Sequence, residues 1–96
     1  MKYNIPDRVM HDIFRFAQKN GITKVILFGS RARGTHTERS DIDLAVSGGN
    51  YLDFYYNVQE ESHTLLMFDV VNLDQKISEE LKKEIERDGV VIYGKA

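Results

Sequence analysis

The apolar residues of this chain fall into short runs separated by segments of helical period, and that alternation confines it to one kind of architecture. Residues 23–28, 65–71 and 90–93 are compact runs rich in β-branched and aromatic side chains, and Ile42, Leu44 and Val46 alternate with Asp41, Asp43 and Ala45. Both patterns are those of short strands. After Pro6, whose missing N–H suits a first turn, Val9, Ile13, Phe16 and Ala17 recur at helical spacing, and Asn20-Gly21 reads as the stop. Tyr51, Phe54, Tyr55 and Val58 predict a second helix running to about Glu61. Ser78 reads as an N-cap, Glu79 and Glu80 suit the positive end of the dipole, Leu81 and Ile85 face inward, and Gly89 ends this third helix. The expected order is helix, strand, loop, strand, helix, strand, helix, strand: an α/β (α+β) sandwich of helices on one sheet of about four strands.

With 96 residues the chain has room for one domain, expected to span 1–96, and no repeat, linker or low-complexity stretch divides it. The net charge of −2 argues against broad electrostatic attraction to nucleic acid. Cysteine is absent, which excludes disulfides and thiolate metal sites. The apolar runs are far too short for a membrane span, and the N-terminal MKYNIPDR lacks the apolar stretch of a signal peptide, so a cytoplasmic location is expected.

Chemistry is concentrated in two places. Asp41 and Asp43 stand two apart on an expected strand, so both project to one face with Cα atoms roughly 7 Å apart. Like charges held that close repel unless a cation joins them. Magnesium, which takes hard oxygen ligands from one or two carboxylates plus phosphates, fits. Asp69 is the lone charge in LLMFDVV. If its strand lies beside that of Asp41 and Asp43, three carboxylates converge in a manner suited to two metal ions, with Asp69 near the incoming hydroxyl as ligand or general base. Upstream, the first strand breaks at Gly29-Ser30 into RARG. Glycine permits close approach to a phosphate, a short helix there would offer free N–H groups, and Arg31 and Arg33 are candidates to pair with phosphate oxygens.

The Gly29-Ser30 pair, ten intervening residues and Asp41-Ile42-Asp43 resemble the signature of the DNA polymerase beta-like nucleotidyltransferase superfamily. GSRARG…SDIDLAV is similar to its minimal nucleotidyltransferase branch, FDVV to the segment bearing the third acidic residue, and IERDGVVIYG to the way these domains end. The resemblance covers nearly the whole chain. It implies a mixed sheet of the polymerase beta palm-like kind with a nucleotide bound over it. By that resemblance Ser30 contacts the triphosphate, Asp41 and Asp43 bind both Mg²⁺ ions, and Asp69 completes the site. It also implies a partner, since members of this branch often act beside an all-helical HEPN protein as MntA-type antitoxins, some adenylylating the toxin on tyrosine.

The resulting expectation is transfer of a nucleoside monophosphate from ATP or another NTP to a protein hydroxyl. The alternatives are a non-catalytic module that neutralises a helical partner by binding it, and a two-metal phosphatase or nuclease. So short a chain leaves no second lobe to grip an acceptor, so another polypeptide, or a second copy of this one, is expected to supply that surface. Tyr51, Phe54, Tyr55 and Tyr56 read as core plus ordinary helix surface, with an interface as the lesser alternative. Arg39 and Ser40 read as loop residues that orient Asp41. The charges of LKKEIER read as a solvated helix face. His11, His36 and His63 receive no role.

Overall fold

Pro6 opens the first helix from just outside it. In the computed structural model, which describes residues 2–94, the Pro6 carbonyl accepts the N–H groups of Val9 and Met10 at 2.9 and 3.0 Å. Helix α1 (Asp7–Lys19) buries the stripe Val9, Met10, Ile13, Phe16 and Ala17. At its end the Ile22 N–H reaches the Ala17 carbonyl at 2.9 Å and the Gly21 N–H that of Gln18 at 3.3 Å. This Schellman reversal requires the positive φ of 68° that Gly21 adopts.

Strands β1 (Lys24–Phe28), β2 (Ile42–Ser47), β3 (Phe68–Asn72) and β4 (Val90–Gly94) form one sheet in the order β3-β2-β1-β4. Helices α2 (Ser30–Arg33), α3 (Tyr51–Glu60) and α4 (Glu79–Asp88) lie in the connections. The sheet is mixed: β1 runs antiparallel to both β2 and β4, while β2 and β3 are parallel. Parallel neighbours need a crossover, and α3 supplies it. Among the described residues no helix is long and apolar enough to cross a membrane.

Side-chain alternation gives the sheet two unlike faces. Val25, Leu27, Ile42, Leu44, Val46, Phe68, Val70 and Ile92 pack with Ile13, Phe16, Phe54 and Val58 into the main core. On the other face Phe28 and Ala45 meet Ile85 of α4, ringed by the partly buried Ile26, Val71, Leu73, Ile77 and Leu81. Ser78 caps α4 as expected, its Oγ accepting the Leu81 N–H at 3.2 Å.

The third strand is shorter than its apolar run predicts, beginning at Phe68 rather than Leu65. A strand extends only as far as its neighbour, and β2 starts at Ile42, the partner of Phe68. The preceding segment is fixed in another way. Asp12 on α1 accepts the His63 backbone N–H at 2.7 Å and lies 2.9 Å from its ring Nδ1. Burial alone would raise the Asp12 pKa; the hydrogen bonds from His63 and Arg15 outweigh it and leave the carboxyl below its ordinary value. The outer edge of β3 is held by α3. There the Gln59 side chain donates to the Phe68 carbonyl and the Tyr51 hydroxyl to that of Val70, each at 2.7 Å.

Candidate active site

The parallel pairing of β2 and β3 sets Asp43 directly across from Asp69. Both belong to the α4 face, since Ala45 and Val71, two residues further along their strands, pack against that helix's cluster. Asp41 precedes β2 by one residue and is exposed, as is Asp69, whereas Asp43 is half-buried. None of the three carboxylates takes part in a hydrogen bond or ion pair among the described residues.

Gly29 closes this arrangement from the β1 side. Phe28 pairs with Asp43, and the chain turns at Gly29 with φ 75°. A Cβ built on Gly29 would fall onto the Asp43 carboxylate. Glycine is therefore required twice over, by the backbone and by the space that Asp43 occupies. The following α2 turn is the short helix expected of RARG. The Gly29 carbonyl accepts the N–H groups of Ala32 and Arg33, both at 3.1 Å, so those of Ser30 and Arg31 have no partner within the turn. The Ser30 side chain is half-buried.

Burial, with Asp69, Asp41 and Glu84 adding in that order, pushes the Asp43 carboxyl up to about 6, and Arg33 opposes the rise. The site is thus a focus of negative potential around one half-buried acid. Glu84 is a member that the sequence reading missed. It lies three residues after Leu81 and one before Ile85, the two inward positions of α4, and is half-buried rather than on the solvated face expected for LKKEIER. The helical spacing carried that signal.

The two arginines separate. Arg33 is 40% exposed and bonded to Asp88 of α4 at 2.9 Å, and its charge is felt at Asp43. Asp88 is lowered to about 2 by its hydrogen bond from Arg87, with Arg33 assisting. Arg31 departs from its expected role as a phosphate ligand. It is 3% exposed, and its guanidinium donates to the carbonyls of Asn4 at 2.7 Å, Ser40 at 3.0 Å and Glu38 at 3.2 Å. Asn4 returns a bond from its side chain to the Arg31 carbonyl at 2.7 Å. Arg31 therefore fixes the loop leading to Asp41, the orienting task that the sequence assigned to Arg39 and Ser40. In that loop the Ser40 hydroxyl accepts the Thr37 N–H at 2.8 Å, and His36 Nδ1 is buried without a hydrogen-bond partner among the described residues.

The donor set suits a hard divalent cation. Carboxylate oxygens without partners among the described residues are gathered along one end of the sheet, and Asp43, its pKa raised first by burial and then by the charges of Asp69, Asp41 and Glu84, is an acid that a cation would hold ionised. No three acidic or histidine side chains among the described residues close tightly enough to hold a metal by themselves. That is the normal condition for magnesium, which completes its shell with water and substrate phosphates.

A family profile described as polymerase beta, nucleotidyltransferase matches residues 11–96. A protein of Methanocaldococcus jannaschii described as a candidate protein adenylyltransferase is 36% identical over 81 residues, covering 75% of this chain and 79% of that one. The fold is shared with one chain of a toxin–antitoxin complex crystallised with AMP-PNP, at a TM-score of 0.71 and 24% identity over 90% of this chain and 73% of the other. It is shared likewise with a chain of the MntA-HpeT toxin–antitoxin carrying two Asp→Glu changes, at a TM-score of 0.70 and 22% identity, with the same coverage. The profile match takes in both acidic strands and the glycine turn between β1 and α2, and by it this chain belongs to the polymerase beta nucleotidyltransferase family.

Proposed function

We propose that this enzyme transfers a nucleoside monophosphate, AMP in the first instance, from a nucleoside triphosphate to a hydroxyl on a partner protein. Asp41, Asp43 and Asp69 would hold two magnesium ions beside the bound triphosphate. The observation that carries the reading is the pairing of Asp43 with Asp69 across β2 and β3, with Gly29 stripped of a Cβ against the Asp43 carboxylate. The M. jannaschii relative supports a protein acceptor. The complex with AMP-PNP supports ATP as donor, and the toxin–antitoxin neighbours support a toxin partner, for which the resemblance of the sequence supplies the all-helical HEPN type.

In this reading the free N–H groups of Ser30 and Arg31, the Ser30 hydroxyl and the Arg33 guanidinium cradle the phosphates. Bound magnesium supplies electrostatic stabilisation of the charge that develops on the transferring and leaving oxygens. Asp69 accepts the proton of the acceptor hydroxyl, whose oxygen bonds to the α-phosphorus while the bond to the β-phosphate oxygen breaks and pyrophosphate leaves. Gly29 and Asp43 fix donor and carboxylates in one rigid frame, which is the positional part of catalysis.

The test is incubation of a purified all-helical partner with labelled ATP, magnesium and this chain, followed by mass spectrometry of the partner. Addition of AMP is expected, and Asp41→Asn or Asp43→Asn should reduce it about 10³-fold or more with the fold intact. Full activity in either variant would defeat the mechanism, and a stable complex without added mass would identify a binding module instead.

A further inference from the structure

The segment leading into β3 presents its apolar side chains to water. Leu65 is fully exposed at 102% and Met67 is 63% exposed. With Thr64, Leu66, Arg39 and Asp41 they wall a groove of about 650 Å³. This is not the exposure of a slack loop. His63 is tied to Asp12 upstream, Thr64 Oγ1 accepts the Leu66 N–H at 3.1 Å, and the Met67 carbonyl accepts the Ile42 N–H at 2.9 Å downstream. The apolar ridge is therefore ordered before anything binds it, which lowers the entropy lost on association.

We propose that this groove seats the segment of the partner protein that carries the acceptor hydroxyl, and that it selects an apolar side chain flanking that hydroxyl. The proposal rests on the transfer reading above. Asp41 belongs both to the groove wall and to the carboxylate set, so whatever fills the groove is delivered to the reacting end of the sheet. The groove lies between the chain segments that lead into β2 and β3, whereas Gly29-Ser30 follows β1 on the opposite side of β2. Donor phosphates and groove are thus on opposite flanks of Asp43. Addition of the partner segment as a further strand on β3 is disfavoured, because the outward carbonyls of Phe68 and Val70 already accept bonds from Gln59 and Tyr51. Side-chain burial, not main-chain pairing, must then supply the grip.

The test uses the double variant Leu65→Ser/Met67→Ser, whose sites are exposed and outside the catalytic set. Calorimetry with magnesium and AMP-PNP should give wild-type affinity in the variant; a clear loss would assign the groove to the nucleotide and overturn the proposal. Next, synthetic peptides bearing tyrosine, serine or threonine are offered with α-labelled ATP and magnesium, one set flanked by leucine and phenylalanine, the other by aspartate and lysine. The wild type should label the apolar set about tenfold faster, the worth of one or two methylene groups removed from water, and the double variant should lose that preference. Equal labelling by the wild type, or a preference retained in the variant, would overturn it. A wild type that binds AMP-PNP but labels no peptide would end the groove proposal and leave nucleotide binding standing. One that binds no AMP-PNP would end the transfer reading itself.

Discussion

The two faces of this sheet are built from the same strands and obey opposite rules. On the face toward α1 and α3 the inward side chains are apolar throughout, and the two polar residues buried on those helices, Asp12 and Asn57, are both partnered. Asp12 is bonded to His63 and Arg15, and Asn57 to Asn20 at 2.7 Å and Glu61 at 3.2 Å. On the face toward α4 the buried members of the apolar cluster are Phe28, Ala45 and Ile85, and the same β2 and β3 present Asp43 and Asp69 side by side, without partners among the described residues. Like charges crowded together without a counter-charge oppose one another, so such a set on one face alone marks a place where stability is given up for a ligand. One face holds the chain together and the other is kept incomplete.

That contrast can be broken from either side. Phe54 is fully buried in the packed face, and Phe54→Ala should lower unfolding stability by about 3–5 kcal/mol, read by chemical denaturation. A loss under about 1 kcal/mol would mean that the main core is not where the stability lies. Next in size is Arg31→Ala, which strands the carbonyls of Asn4, Glu38 and Ser40 and should cost about 2 kcal/mol. Its distinguishing readout is faster amide exchange in residues 35–41. Lysine should not restore protection there, because it lacks the planar fork that reaches several carbonyls at once. Protection unchanged in Arg31→Ala would return this arginine to the candidates for phosphate binding.

The smallest effect has the opposite sign. The folded-state pKa of Asp43 is raised to about 6 from an ordinary 3.8. Between those two values the folded protein holds a proton that the unfolded chain releases, so its stability falls as pH climbs through that window and levels off above it. In metal-free protein Asp43→Asn should escape this penalty. The variant should match the wild type near pH 4 and exceed it by about 1 kcal/mol at pH 7, a figure already reduced for the partial exposure of the group. A variant less stable than wild type at pH 7 would show that Asp43 is structurally satisfied.

Much of this was written in the sequence, and the failures have physical causes. The helical stripe of α1 and the alternation of β2 are periodic signals, and each element formed where its period placed it. The convergence of Asp69 with Asp43 could only be posed as a condition, because strand order is a long-range property that no local pattern encodes. The start of β3 was misplaced because a continuous apolar run has no period to read, and its extent was set by β2. Arg31 and Arg33 lie on one four-residue helix, and which of them points inward depends on a turn geometry that the sequence does not display. Glu84 was legible in principle, since it follows Leu81 at helical spacing, but its neighbours Lys82, Lys83 and Glu86 gave that stretch the look of a solvated face.

The central claim is that the open face is a divalent-cation site completed by nucleotide, and counting ions tests it most directly. Manganese should be titrated into the AMP-PNP-saturated wild type and into Asp43→Asn, with bound metal read by electron paramagnetic resonance. The wild type should take up about two ions per chain, and the variant should lose at least one while keeping its fold by circular dichroism. Equal uptake by the two proteins, or none by the wild type, would contradict the account.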